Sequence, residues 1–154
     1  MERGLIFLGV VIAVVFSLNI YVFDNDEVTR IYESNKVSQP YILYTVVDDK
    51  VFEGFSGSIV IREVKNGKIY RVEKKESQLA YSIEGDRILK ANTGSVQYIF
   101  KNNIIYKGSK LDTASILYRL KSNGWITDKT DKKVIYTCEG KCELTNLAST
   151  ILLR

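Results

Sequence analysis

The chain has 154 residues, a formal charge of +4 and no histidine. Without histidine there are no His-dependent triads, most zinc sites are excluded, and any catalysis falls to carboxylates, lysine, tyrosine or the two cysteines. Lys and Arg are scattered among the carboxylates, a pattern of solvated surface that argues against a nucleic-acid partner.

Residues 5–23 carry no charge, and Ser17 and Asn19 are their only clearly polar members. A helix of this length approaches the roughly 30 Å hydrocarbon core of a bilayer. The reading favoured is an uncleaved single-pass anchor, with Tyr21 and Phe23 at the far interface. A cleaved secretory signal is the second reading, with a cut after Ser17. The third rests on Glu2-Arg3-Gly4 before an apolar helix, which resembles a prepilin processing site and implies maturation after Gly4. Arg3 precedes the span, and Asp24, Asp26 and Glu27 follow it, so the N-terminus is expected in the cytoplasm and residues 24–154 outside.

Residues 24–40 are polar, end in the single proline and read as a stalk or linker. The remainder, 41–154, is long enough for one domain with a real core. Residues 41–47 read as an apolar strand stopped by Asp48-Asp49. Next, Asn66-Gly67 between two β-rich runs is the preferred two-residue hairpin turn. This turn pairs Val64 with Ile69, Glu63 with Tyr70 and Arg62 with Arg71. Ile59, Ile61, Tyr70 and Val72 then form the expected core face.

A second hairpin is expected around Glu84-Gly85-Asp86, and a third turn at Asn102-Asn103 between residues 95–101 and 104–107. The pattern from Ser109 to Gly124 predicts one helix, with Ser109 and Asp112 as a capping box and Leu111, Ala114, Leu117, Tyr118 and Leu120 on one side. Trp125 is expected to pack that helix onto the sheet. Residues 134–138 and 142–146 follow, and the apolar tail 147–153 is expected to close the sheet. No internal repeat is read. The fold class expected is mainly β (α+β): an antiparallel meander, curled or barrel-like, with one packed helix behind an N-terminal transmembrane helix.

Two features invite chemistry. Cys138-Glu-Gly-Lys-Cys142 is the only cysteine pair, and it lies in what is expected to be an oxidising compartment. A structural disulfide with Gly140 in the turn is favoured over a redox dithiol or soft-metal pair. Arg62 opposite Arg71 puts like charges face to face, which a bound anion, an acidic partner surface or lipid headgroups could offset, as could Glu73 and solvent. No catalytic residues, metal ligands or cofactor site are assigned. The function expected is therefore non-enzymatic: a membrane-anchored extracytoplasmic interaction or accessory subunit of a membrane or envelope assembly. Its partners would be the membrane through residues 5–23 and a protein, or a second copy, at an exposed sheet edge. The alternatives are a pilin-like filament subunit processed after Gly4 and a carrier of an apolar ligand, with a dithiol redox enzyme last.

Overall fold

Three tight turns set the pattern of the chain: Asp48-Asp49, Asn66-Gly67 and Asn102-Asn103. In each, both central residues have φ between +48° and +70°. That conformation twists the flanking strands in the sense a two-residue hairpin needs, and Asn, Asp and Gly adopt it at least cost. Gly85 supplies the positive φ of a fourth turn. The computed structural model describes residues 28–55, 59–74 and 76–153.

Among the described residues there are twelve antiparallel strands: β1 (Thr29–Glu33), β2 (Ile42–Val47), β3 (Lys50–Glu53), β4 (Val60–Lys65), β5 (Lys68–Glu73) and β6 (Glu76–Glu84), then β7 (Arg87–Lys90), β8 (Val96–Lys101), β9 (Ile104–Lys107), β10 (Ile116–Leu120), β11 (Trp125–Asp128) and β12 (Val134–Glu139). Each pairs with its sequence neighbours, and β1 pairs with both β2 and β12, so the meander closes into a barrel. Closure removes the open edge that was expected as a docking surface, because every described strand has two partners.

The barrel is built from six equivalent hairpins. Just after each turn level sits one aliphatic residue with no exposed surface: Ile31, Val51, Ile69, Ile88, Ile105 and Ile126. Each faces an inward residue of the preceding strand, in the pairs Cys138–Ile31, Val46–Val51, Val64–Ile69, Ile83–Ile88, Phe100–Ile105 and Leu120–Ile126. On its other side each meets the next hairpin at Tyr44, Arg62, Tyr81, Tyr98, Tyr118 or Tyr136. The register slips by one residue immediately beyond all six ring positions. Such bulges bend the strands and raise their twist, which lets each hairpin turn away from its neighbour. The sequence therefore does contain a repeat: an aromatic, an apolar residue two later and an aliphatic seven later, at Tyr44, Tyr81 and Tyr98, with Arg62 standing in once.

The tail closes nothing. Leu144–Leu147 forms a short helix, α1, that continues as a π-helical segment Ala148–Leu152. Residues 147–153 are all buried, and Leu147, Ala148, Ile151, Leu152 and Leu153 share one cluster with the five isoleucines of the aliphatic ring. A helix buried on every side is enclosed, and here the barrel interior encloses it. The side-chain amide of Asn146 donates to Thr29 Oγ1 (3.0 Å) and to the Lys141 carbonyl (2.7 Å), fixing the start of the helix at the turn end of the barrel.

Four further expectations are corrected. The strand that closes the sheet is β1, inside the stretch read as a stalk; the charged Arg30 and Glu33 in its sequence mask the inward Ile31. The helix expected from Ser109 to Gly124 is a single 3₁₀ turn, Thr113–Ser115, followed by β10. Asp112 caps that turn by accepting from the Ser115 amide (2.8 Å), and Tyr118 and Leu120 take inward positions opposite Ile105 and Ile126 that a helix could not fill. Trp125 opens β11 and is largely exposed, so it packs no helix end. Finally, the β4–β5 hairpin has the expected register but presents its other face: Val64 and Ile69 are core, while Ile59 is 70% exposed. A one-position change of face moves every side chain, and the donor-rich Arg62 is needed inside.

Candidate functional site

The six-membered ring of Tyr44, Arg62, Tyr81, Tyr98, Tyr118 and Tyr136 is five tyrosines and one arginine, and the arginine does what a tyrosine could not. The Arg62 guanidinium donates through Nη1 to the Ser149 carbonyl (2.9 Å) and through Nη2 to the Leu153 carbonyl (2.5 Å). Carbonyls at a helix C-terminus lack partners within the helix, and a cation there answers both the missing bonds and the negative end of the dipole. Burial draws the Arg62 pKa below its ordinary value. Tyr44 and Tyr81 pull the other way, while nearby Arg71 adds to the lowering. Elsewhere in the ring, Tyr118 and Tyr136 meet edge to face with centroids 5.7 Å apart. Burial, then Tyr81, raise the pKa of Tyr98.

Around Arg62 the open mouth of the barrel holds a pocket of about 420 Å³. Its polar lining is Arg62, Arg71, Lys90, Gln78, Asn92 and Tyr81; Ile69, Leu79, Ala80 and Leu153 supply the apolar part. The strand register places these groups side by side. Arg62 faces Arg71, Arg71 faces Gln78, and Tyr81 faces Lys90. Glu73 pairs with Nε of Arg71 at 3.1 Å, an exposed bridge worth little by itself. Among the described residues, three cations thus border one pocket and no carboxylate lines it.

Both arginines singled out from sequence therefore lie at one site, in the expected cross-strand pairing. The close approach of their like charges is offset on one side by helix carbonyls and on the other by Glu73. Sequence reasoning missed Lys90, Gln78 and Asn92, because the β5–β6 register that brings their hairpin against Arg71 slips at Ile69/Tyr70, which no sequence signal marks.

Cys138 and Cys142 are joined by a disulfide, with Cα atoms 5.9 Å apart. Cys138 is buried and occupies the ring-facing place opposite Ile31. Gly140, at φ +87°, carries the turn between them. The bond ties the end of β12 to the segment leading into the enclosed helix. A second surface pocket, about 600 Å³, is lined by both cysteines together with Lys121, Ser122, Asn123 and Glu139.

On the outer face near the disulfide, Tyr32 donates to Glu139 Oε2 at 2.5 Å, and burial and that bond raise the Tyr32 pKa to about 12. Among the described residues no group of three His, Cys, Asp or Glu is placed to hold a metal ion. No helix among them is long and apolar enough to cross a membrane, and residues 5–23 lie outside them.

Comparison with known proteins fits this architecture. The profile of a family described as "6-fold beta flower protein" matches residues 31–148. No curated protein and no solved structure matches the chain. The match covers most of the chain and nearly all of the barrel, so the protein belongs to that family.

Proposed function

We propose that this member of the 6-fold beta flower protein family is a non-catalytic, extracytoplasmic interaction module, an accessory subunit of a membrane or envelope assembly. Residues 5–23 tether it, with the N-terminus in the cytoplasm. The observation that carries the reading is the apolar outer surface of the β4–β6 sector. Ile59 is 70% exposed and Leu79 43%, and Tyr70 lies between Glu63 and Leu79 in the register. Large apolar side chains gathered on one sector of a small protein mark a contact surface. A closed barrel offers a partner side chains instead of an edge strand, so recognition here works through shape and apolar area. The carrier alternative draws less support, because the enclosed helix occupies the barrel interior.

The test uses the full chain in its native membrane, with a photo-crosslinking residue at position 79 and, as a control, at exposed Leu111. A discrete heteromeric adduct at 79 that disappears with Ile59→Glu supports the reading. Equal, diffuse labelling at both positions refutes it. Intact mass on the same material reports the tether: a chain starting at Met1 supports it, one starting near Leu18 means a released domain, and one starting at Leu5 means a filament subunit.

A further inference from the structure

We propose that the pocket at the barrel mouth beside Arg62 binds a small amphiphilic organic anion, a single carboxylate or phosphate group carrying a short apolar chain. The inference concerns the barrel alone and stands whichever partner the outer surface has.

The charge is the first argument. Arg62 is half-buried, and its hydrogen bonds go to neutral groups, the Ser149 and Leu153 carbonyls and the Tyr44 side chain, so its positive charge is left without a counter-ion in those contacts. Arg71 spends Nε on Glu73, which leaves the two terminal nitrogens, the pair that matches an oxyanion side by side, outside that bridge. Lys90 adds a third cation from the neighbouring hairpin, and among the described residues it enters no ion pair. Among the described residues the pocket lining thus holds three cations against one exposed carboxylate outside it, a field that favours a negative occupant.

Shape and lining narrow the class. A volume of about 420 Å³ admits a small molecule and not a polymer groove. Gln78 and Asn92 offer amide donors and Tyr81 a hydroxyl, so an oxyanion has neutral donors as well as cations. Ile69, Leu79, Ala80 and Leu153 supply apolar lining that a bare inorganic anion would leave uncovered. A headgroup with a few methylenes satisfies both halves, each buried methylene adding about 0.8 kcal/mol.

The experiment is isothermal titration of the full chain in nanodiscs with hexanoate and butyl phosphate, against 1-hexanol and inorganic phosphate. The expected result is millimolar or tighter binding of the two amphiphilic anions, weaker binding of inorganic phosphate and none of hexanol. The double variant Arg71→Gln, Lys90→Gln should weaken the anions about tenfold or more while leaving the thermal midpoint unchanged, because both side chains are exposed. In nanodiscs containing phosphatidic acid, loss of hexanoate binding identifies a lipid headgroup as occupant; unchanged binding identifies a soluble anion. Either result supports the pocket. Hexanol binding as well as hexanoate, no anion binding at millimolar concentration, or binding indifferent to the double variant overturns the proposal.

Discussion

Replacing Arg62 by alanine tests whether the enclosed helix is held in the barrel by its C-terminal carbonyls. The wild-type guanidinium makes two hydrogen bonds to the helix, at the Ser149 and Leu153 carbonyls, and all five residues from Ser149 to Leu153 are buried. A hydrogen bond to a charged group contributes roughly 1.5–3 kcal/mol, and a buried carbonyl left without a donor costs about 1–3 kcal/mol. The two bonds share one side chain and are not additive, so about 3–4 kcal/mol is the expected loss for Arg62→Ala. For a domain of this size about 1 kcal/mol corresponds to roughly 4 °C, so the midpoint should fall by about 12–16 °C. Equilibrium urea unfolding of the full chain in detergent gives the free energy, and native-state hydrogen exchange gives the location. The amides of the helix should lose protection while those of Ile69, Ile88 and Ile105 keep theirs, because the aliphatic ring does not depend on Arg62. Arg62→Lys should recover part of the loss, since an ammonium can reach one carbonyl but not fork between two. A loss below about 1 kcal/mol for Arg62→Ala, or uniform loss of protection across barrel and helix, would refute the assignment of Arg62 as the latch.

Three further outcomes are expected. At Gly124 and Gly140, φ is +82° and +87°, and an added Cβ would run into the carbonyls of Cys138 and Val28. Alanine at either should therefore cost several kcal/mol in urea unfolding, against about 1 kcal/mol at Gly94, where the φ is similar but the space is open. Reducing the Cys138–Cys142 bond, which spans four positions in sequence, should lower stability by about 2 kcal/mol on loop-closure grounds; a loss near that of Arg62→Ala would mean that the bond holds the helix as well as the turn. Tyr32 has a folded pKa of about 12 against an ordinary 10.0. Its contribution is complete below pH 10 and fades as pH rises through 12, so alkaline unfolding of wild type should steepen there and Tyr32→Phe should flatten it.

The local signals of the fold were legible in the sequence and the global ones were not. Asn66-Gly67 and Asn102-Asn103 announce their turns because so few residues accept positive φ twice in succession, and the β4–β5 register follows from the turn alone. Which face of that hairpin is core depends on what lies inside the barrel, and the sequence of the hairpin itself does not say. Ile59, Ile61 and Val72 make the outer face look like the better core, whereas Arg62 looks wrong for an interior until the helix carbonyls are there to receive it. The helix expected over 109–123 fails for a related reason. Leu111, Ala114, Leu117 and Tyr118 have helical spacing, but Tyr118 is also one member of a series 17 to 20 residues apart that runs Tyr44, Arg62, Tyr81, Tyr98, Tyr118, Tyr136. That series was the readable signal for the architecture. It is easy to miss because one member is an arginine and because the sixth hairpin is assembled from the two ends of the barrel, β12 and β1.

The interrupted repeat also explains why the candidate site lies where it does. Six identical hairpins around an axis would give a mouth with six identical sectors and nothing to distinguish a ligand's orientation. A single helix entering that barrel cannot be six-fold symmetric, so its end must fall against one sector, and there the repeat yields its tyrosine for Arg62. Arg71 and Lys90, on the same and the adjacent hairpin, place further positive charge on the side already marked by the helix end. The outer surface of that sector carries Ile59 and Leu79, and Leu79 also lines the pocket. One departure from the repeat therefore couples three things that a symmetric barrel would keep apart: the seat of the helix, the charged pocket and the apolar contact surface. It follows that an occupant of the pocket and a partner on the outer face share Leu79, so binding of one should change the affinity of the other by a common factor. Measuring hexanoate affinity before and after crosslinking at position 79 reads that factor, and a value of one would show the two surfaces to be independent.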